Sequence, residues 1–199
     1  MRSSATLLKL FSAFVIVWGL AACNREPSVP QGPTPDNVDE KKTLDEFSKR
    51  VEQYVELHKQ AEAKLPKLPD DATPEQIDKN QRELFRLISE ARAGSKQGEL
   101  FTPAMETLLR KHLARVFKAP DGAAVKDSVM DENPVGQVPL IINQRYPDDV
   151  PISTMPPDVL EKLPKMPEAL EYRFVGRHLV VLDTHAHLIA DFVTDAIPQ

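Results

Sequence analysis

The chain has 199 residues, 25 Lys+Arg against 30 Asp+Glu and a formal net charge of −5, enough length for one domain or two small ones. The acidic balance excludes a general nucleic-acid binder, which would be basic. Cys23 is the only cysteine, so an intramolecular disulfide framework is excluded as well.

The first 22 residues read as a removable signal peptide. Arg2 and Lys9 are the only charges before Arg25, and Leu10 to Leu20 is an apolar run of 11 residues. That is short of the roughly 20 apolar residues of a membrane span and right for a secretory core. Ala21, Ala22 and Cys23 follow. "LAAC" (Leu20 to Cys23) resembles the lipobox of bacterial lipoproteins. The resemblance implies a diacylglycerol on the Cys23 thiol, cleavage before Cys23 and acylation of the new amine, palmitate being a typical chain. It also implies a cell-envelope location, periplasm-facing or surface-exposed. In enterobacterial lipoproteins an Asp after the cysteine signals inner-membrane retention; here Asn24 stands there, which favours the outer membrane. Each buried lipid CH₂ contributes about 0.8 kcal/mol, and two or more chains make anchoring stable. Loss of Arg2 and Lys9 with the signal leaves 23 Lys+Arg against 30 Asp+Glu, a formal charge of −7.

Residues 23–42 read as a Pro-rich tether. Asn24 to Lys42 holds four prolines, one glycine and almost no apolar side chains, so it cannot bury a core. At about 3 Å per residue it would reach roughly 55–60 Å from the bilayer.

A helical region spans 43–131. In its first segment Thr43 and Glu46 fit a capping box. Leu44, Phe47, Val51, Tyr54, His58, Ala61 and Leu65 are spaced 3,4,3,4,3,4, a heptad seam that Pro66 ends. His58 on that seam reads as a packed residue rather than a ligand. The second helix opens with Thr73 as N-cap, Pro74 at the first position and Gln76 closing a capping box. Ile77, Leu84, Phe85, Ile88 and Ala91 form its stripe, and Gly94 supplies the stop. Thr102 and Pro103 open a third, with Met105, Leu108, Leu109, His112, Leu113, Val116 and Phe117 at helical spacing. Ala119 to Gly122 is a turn, and Ala123 to Asp131 a short fourth helix. Amphipathic helices with short loops predict an antiparallel bundle.

Residues 132–199 read as a Pro-rich segment followed by a small sheet. Positions 134–167 hold eight of the 18 prolines. Val138 to Ile142 reads as an edge strand, Ser153 to Leu163 as a short helix. "LEYRFV", "HLVVLD" and "AHLIADFV" read as three strands joined at Gly176-Arg177 and Thr184-His185. The last two strands are apolar on both faces, so the sheet should be covered on both sides. The whole is α+β: an N-terminal antiparallel helical bundle followed by a small C-terminal antiparallel β-meander. "KLPKLP" (64–69) nearly recurs as "KLPKMP" (162–167), each a helix stop in which lysine suits the helix C-terminus. Eight basic residues at 82–118, Arg92 among them, read as solvated helix faces offset by the acidic 121–171 segment.

"DTHAHL" (Asp183 to Leu188) is similar to the opening strand of metal-dependent amidohydrolases. That resemblance implies a (β/α)₈ barrel of about 200 residues or more, whereas 12 residues follow His187 and the preceding chain is helical and Pro-rich. The motif therefore reads as a strand–turn–strand junction. His185 sits at its exposed tip, and Asp183 accepts bonds from the turn backbone. His187 faces Leu182 and His178 faces Asp191. Val180, Leu182 and Ile189 share one face; Val181, Leu188, Ala190 and Phe192 share the other. His178, His187 and Asp191 are the alternative set for a zinc or nickel ion. The short Leu-Pro-bounded helix, then Tyr172 to Gly176, then an apolar hairpin carrying Asp183, is similar to the C-terminal modules of small periplasmic proteins. Some of those belong to a nickel and cobalt homeostasis family.

There is no G-x-S-x-G, Gly-rich phosphate loop or H-E-x-x-H. No catalytic residue, cofactor or metal ligand is assigned; the one assigned site is lipid attachment at Cys23. The leading expectation is a lipid-anchored, non-enzymatic interaction or structural module with an envelope protein partner and no nucleic acid. A periplasmic divalent-metal-binding protein is the alternative, and a metal-dependent hydrolase is third.

Overall fold

The computed structural model describes residues 35–133 and 138–199. Residues 1–34, which include the expected signal peptide, Cys23 and the first part of the expected tether, lie outside the described residues. Four helices precede the sheet: α1 (Pro35–Glu62), α2 (Pro74–Ala91), α3 (Pro103–Phe117) and α4 (Gly122–Asp131). A four-residue helix, α5 (Pro157–Leu160), follows, and then β1 (Leu170–Val175), β2 (His178–Asp183) and β3 (Leu188–Val193). The strands form one antiparallel sheet in the order β1-β2-β3. The fold is α+β, ending in a β-meander.

The heptad seam of α1 is its buried face: Phe47, Val51, Tyr54, His58 and Ala61 are all buried, with Leu44 and Leu65 packed at the margin. The helix begins eight residues before Thr43. Proline suits its first turn, and the Thr43 hydroxyl, inside the helix, donates to the Asp39 carbonyl at 2.8 Å instead of capping. Residues 35–42 are therefore helix rather than tether. The capping box at Thr73 and Gln76 forms in full, and Thr102 accepts from the Met105 amide. The stripe of α2 is narrower than its sequence, since Leu84 and Ile88 are buried while Ile77 is exposed.

One apolar core joins helices and sheet. Leu170, Tyr172, Phe174, Leu179, Val181, Leu188 and Val193 point into it with Phe47, Ile88, Phe101, Leu109 and Leu113. The opposite sheet face, with Val175, Val180, Leu182, Ile189 and Phe192, is covered by Val138, Leu140, Ile142, Tyr146 and Val150. The 138–150 segment thus works as a strap, and the sheet is covered on both sides. Val138 to Ile142 is irregular rather than an edge strand. Pairing with β3 occurs further on, where the Asn143 amide donates to the Ile189 carbonyl, the Ile189 amide to Gln144 and the Tyr146 amide to His187. Ser153 to Leu163 is helical only over α5.

Two features of the β2–β3 hairpin differ from a two-residue turn. The closing pair is Asp183 with Leu188, so the connection is the four residues 184–187, with His187 at φ 51°. A bulge then shifts the register between Val181 and Leu182: Leu182 pairs with Ile189, Val181 with Asp191 and Val180 with Phe192. Ala190 is the extra residue. The bulge reverses side-chain parity beyond it, so Phe192 joins the strap face and Asp191 points toward the helices.

Phe47 stacks on Phe101 at 5.8 Å, and Phe117 meets Phe174 edge-on at 6.2 Å. Phe47→Ala and Phe117→Ala should each destabilise by about 3–5 kcal/mol in urea unfolding. Gly122 has no room for a Cβ, which would lie 2.4 Å from the Phe117 carbonyl oxygen. Gly122→Ala should lower the unfolding midpoint by displacing backbone; a variant as stable as wild type would refute this packing of α3 against α4.

Candidate metal centre

Asp183 ends β2 with its carboxylate fully buried. One oxygen, Oδ2, accepts the Tyr54 hydroxyl at 2.8 Å and His58 Nδ1 at 2.7 Å, both from α1. The other, Oδ1, accepts the amides of His185 at 3.1 Å and Ala186 at 2.9 Å. Asp183 holds its own turn, as its position before that turn predicts, and it also ties α1 to the sheet. Burial, and then the negative charge of Asp183, push the Tyr54 phenol well above its ordinary pKa. Tyr54 therefore donates as a neutral hydroxyl at physiological pH.

A carboxylate can only accept, so His58 Nδ1 carries a proton. The far nitrogen, Nε2, is buried and has no hydrogen-bond partner. Burial acts to lower the pKa of this ring, but the hydrogen bond and charge of Asp183, with Glu62, outweigh it and raise it. His58 and Glu62 lie four residues apart on the last turn of α1, hence on one face. The four-residue turn brings His185 to the same place. Glu62 Oε2 is 3.9 Å from His58 Nε2, and Glu62 Oε1 is 3.8 Å from His185 Nδ1. The two imidazole rings are 5.4 Å apart. His58, Glu62 and His185 offer three ligand atoms within 4.8 Å of one another. His58 is interior, whereas Glu62 and His185 are about half exposed, so the group opens to solvent on one side.

The alternative set of His178, His187 and Asp191 is not brought together. His178 Nδ1 accepts the Asp195 amide at 3.0 Å. His187 is drawn toward Asp148, 3.5 Å away. Asp191 is fully buried and accepts the amides of Gly98, Leu100 and Phe101 at 2.7–3.0 Å, clasping the α2–α3 loop. The four-residue turn and the bulge together separate these residues. In the observed register His187 lies in the turn instead of opposite Leu182, and His178 lies beyond the Leu179–Val193 pair instead of opposite Asp191.

Arg92 is a second departure from sequence expectation. Rather than joining a solvated basic face, it is buried at the end of α2. Its guanidinium donates to the Asn143 side chain at 2.7 Å and to the Ala190 carbonyl of the bulge at 3.0 Å. The same group lies 4.9 Å from the centre of the Tyr54 ring, within cation–π range. Other basic groups do meet acids on the surface, as Arg82 does with Asp78 and Asp148.

Comparison with known protein families, characterised sequences and solved structures found no match. The chemistry of this cluster therefore rests on its own geometry.

Removing the Asp183 carboxylate would leave a phenol, an imidazole N–H and two amides without acceptors. Asp183→Ala should cost about 3–5 kcal/mol in urea unfolding. Tyr54→Phe, which removes one charge-assisted bond, should cost about 1.5–3 kcal/mol. An Asp183→Ala loss under about 1 kcal/mol would contradict this account of the node.

Proposed function

We propose that this chain is a lipid-anchored protein of the bacterial cell envelope, and that its folded region is a non-enzymatic module serving an envelope protein partner. The observation that carries the reading is the order of the first 23 residues: a basic start, the apolar run Leu10 to Leu20, small residues, and then the chain's single cysteine. In this reading Cys23 carries the lipid, the domain faces the periplasm or the surface, and Asn24 favours the outer membrane over the inner. No helix among the described residues is long and apolar enough to cross a membrane; in this reading the acylated cysteine supplies the attachment.

Because α1 starts at Pro35, residues 24–34 are what remains of the tether. Eleven residues can separate the domain from the bilayer by at most about 40 Å. The reach is shorter than a tether ending at Lys42 would give.

Wild-type protein should fractionate with membranes and incorporate labelled palmitate, while Cys23→Ser should do neither. Equal membrane association and labelling of the variant would remove the anchor. In cells, chemical cross-linking of the wild type should trap an envelope protein that the Cys23→Ser variant fails to reach.

A further inference from the structure

We propose that His58, Glu62 and His185 bind one divalent first-row transition ion of the zinc type, with Asp183 as the carboxylate that orients His58. This reading goes beyond the lipid anchor and does not depend on it.

The first support is the buried nitrogen. Asp183 holds a proton on Nδ1 of His58, so in the neutral ring it is the unpartnered Nε2 that presents a lone pair, inside the protein and beside Glu62. A buried acceptor without a donor is destabilising, and nearly all such atoms in folded proteins have a partner. The outer nitrogen of His58 faces the Glu62 carboxylate, and its ring lies beside that of His185. A carboxylate behind a ligating histidine is also the usual device for holding an imidazole on a metal.

The second support is spacing. The gaps of 3.8 and 3.9 Å from Glu62 to the two rings are too long for hydrogen bonds. An ion with tetrahedral bonds near 2.0–2.1 Å holds its donors about 3.3 Å apart. Those gaps run to different Glu62 oxygens; with one atom from each residue the three donors lie within 4.8 Å of one another, and Glu62 and His185, both about half exposed, are the side chains that would move inward. The interior ligand is already fixed by Asp183. The carboxylates of Glu62 and Asp183 together balance a double positive charge.

The donor set selects the ion. Two imidazole nitrogens and one carboxylate oxygen suit zinc, nickel, cobalt or copper(II), whereas calcium and magnesium call for oxygen ligands. Three protein ligands with one side open to solvent leave a fourth position for water or an incoming ligand.

The test uses the full-length chain in detergent micelles, stripped by chelator and titrated with ZnCl₂ against a chromophoric competitor at fixed pH. The expected result is one saturable zinc per chain, unaffected by a hundredfold excess of MgCl₂ or CaCl₂. Glu62→Gln, His185→Ala and His58→Gln should each weaken it by about tenfold or more. His178→Ala and His187→Ala should bind as wild type does. Zinc should raise the melting temperature of wild type by several degrees, and this rise should vanish in Glu62→Gln and His185→Ala. These two exposed substitutions decide the matter even where His58→Gln fails to fold. Absence of stoichiometric zinc, displacement by magnesium, or wild-type affinity in both Glu62→Gln and His185→Ala would overturn the proposal.

Discussion

A single carboxylate with no access to water organises the junction between helices and sheet. Asp183 is fully buried, and a buried charge is tolerated only where hydrogen bonds replace its hydration. Four donors meet that demand, two from α1 and two from the turn that Asp183 begins. Satisfying them fixes the rotation of α1 over the sheet, the winding of the turn and the tautomer of His58. The heptad seam supplies the apolar contact, but apolar contact is non-directional. The direction comes from the carboxylate.

Asp191 plays a matching part for the α2–α3 loop. The bulge at Ala190 turns it from the strap face to the helix face, where three loop amides donate to it. The buried carbonyl of the bulge residue Ala190 is taken up by Arg92, which also reaches the strap through Asn143 and lies over the Tyr54 ring. The two buried carboxylates are thus linked through Arg92 and Tyr54. The proposed ion would extend this network outward, joining the last turn of α1 to the tip of the hairpin.

Elements governed by local rules were legible in the sequence. The 3,4 spacing on α1 identifies its buried face, from Phe47 through His58 to Ala61. The capping residues Thr73 and Thr102 place two helix starts, and the apolar runs place all three strands. What the sequence did not reveal depends on contacts remote along the chain. The start of α1 at Pro35 was hidden because a solvated helix and a tether share the same polar composition. The bulge at Ala190 carries no glycine or proline to announce it, and missing it reversed the facing of Asp191 and Phe192. The longer turn follows from the two bonds that Asp183 Oδ1 accepts, so His185 and His187, which would share one face on a strand, diverge in space. Most of the candidate site was therefore hidden. His58 was legible as buried, but its meeting with His185, 127 positions away, has no signal in either local segment. The lipobox reading is of another kind, carried wholly by a short motif at the N-terminus.

The proposed ion joins α1 to the β2–β3 turn through His58, whose ring Asp183 already orients. Its most direct measurement is the anomalous-difference map from crystals of the protein grown with ZnCl₂. The account predicts one intramolecular peak bonded to His58 Nε2, His185 Nδ1 and the Glu62 carboxylate, with His58 Nδ1 still on Asp183. A peak held instead by His178 or His187, or no peak with the three side chains left as they stand, would contradict it.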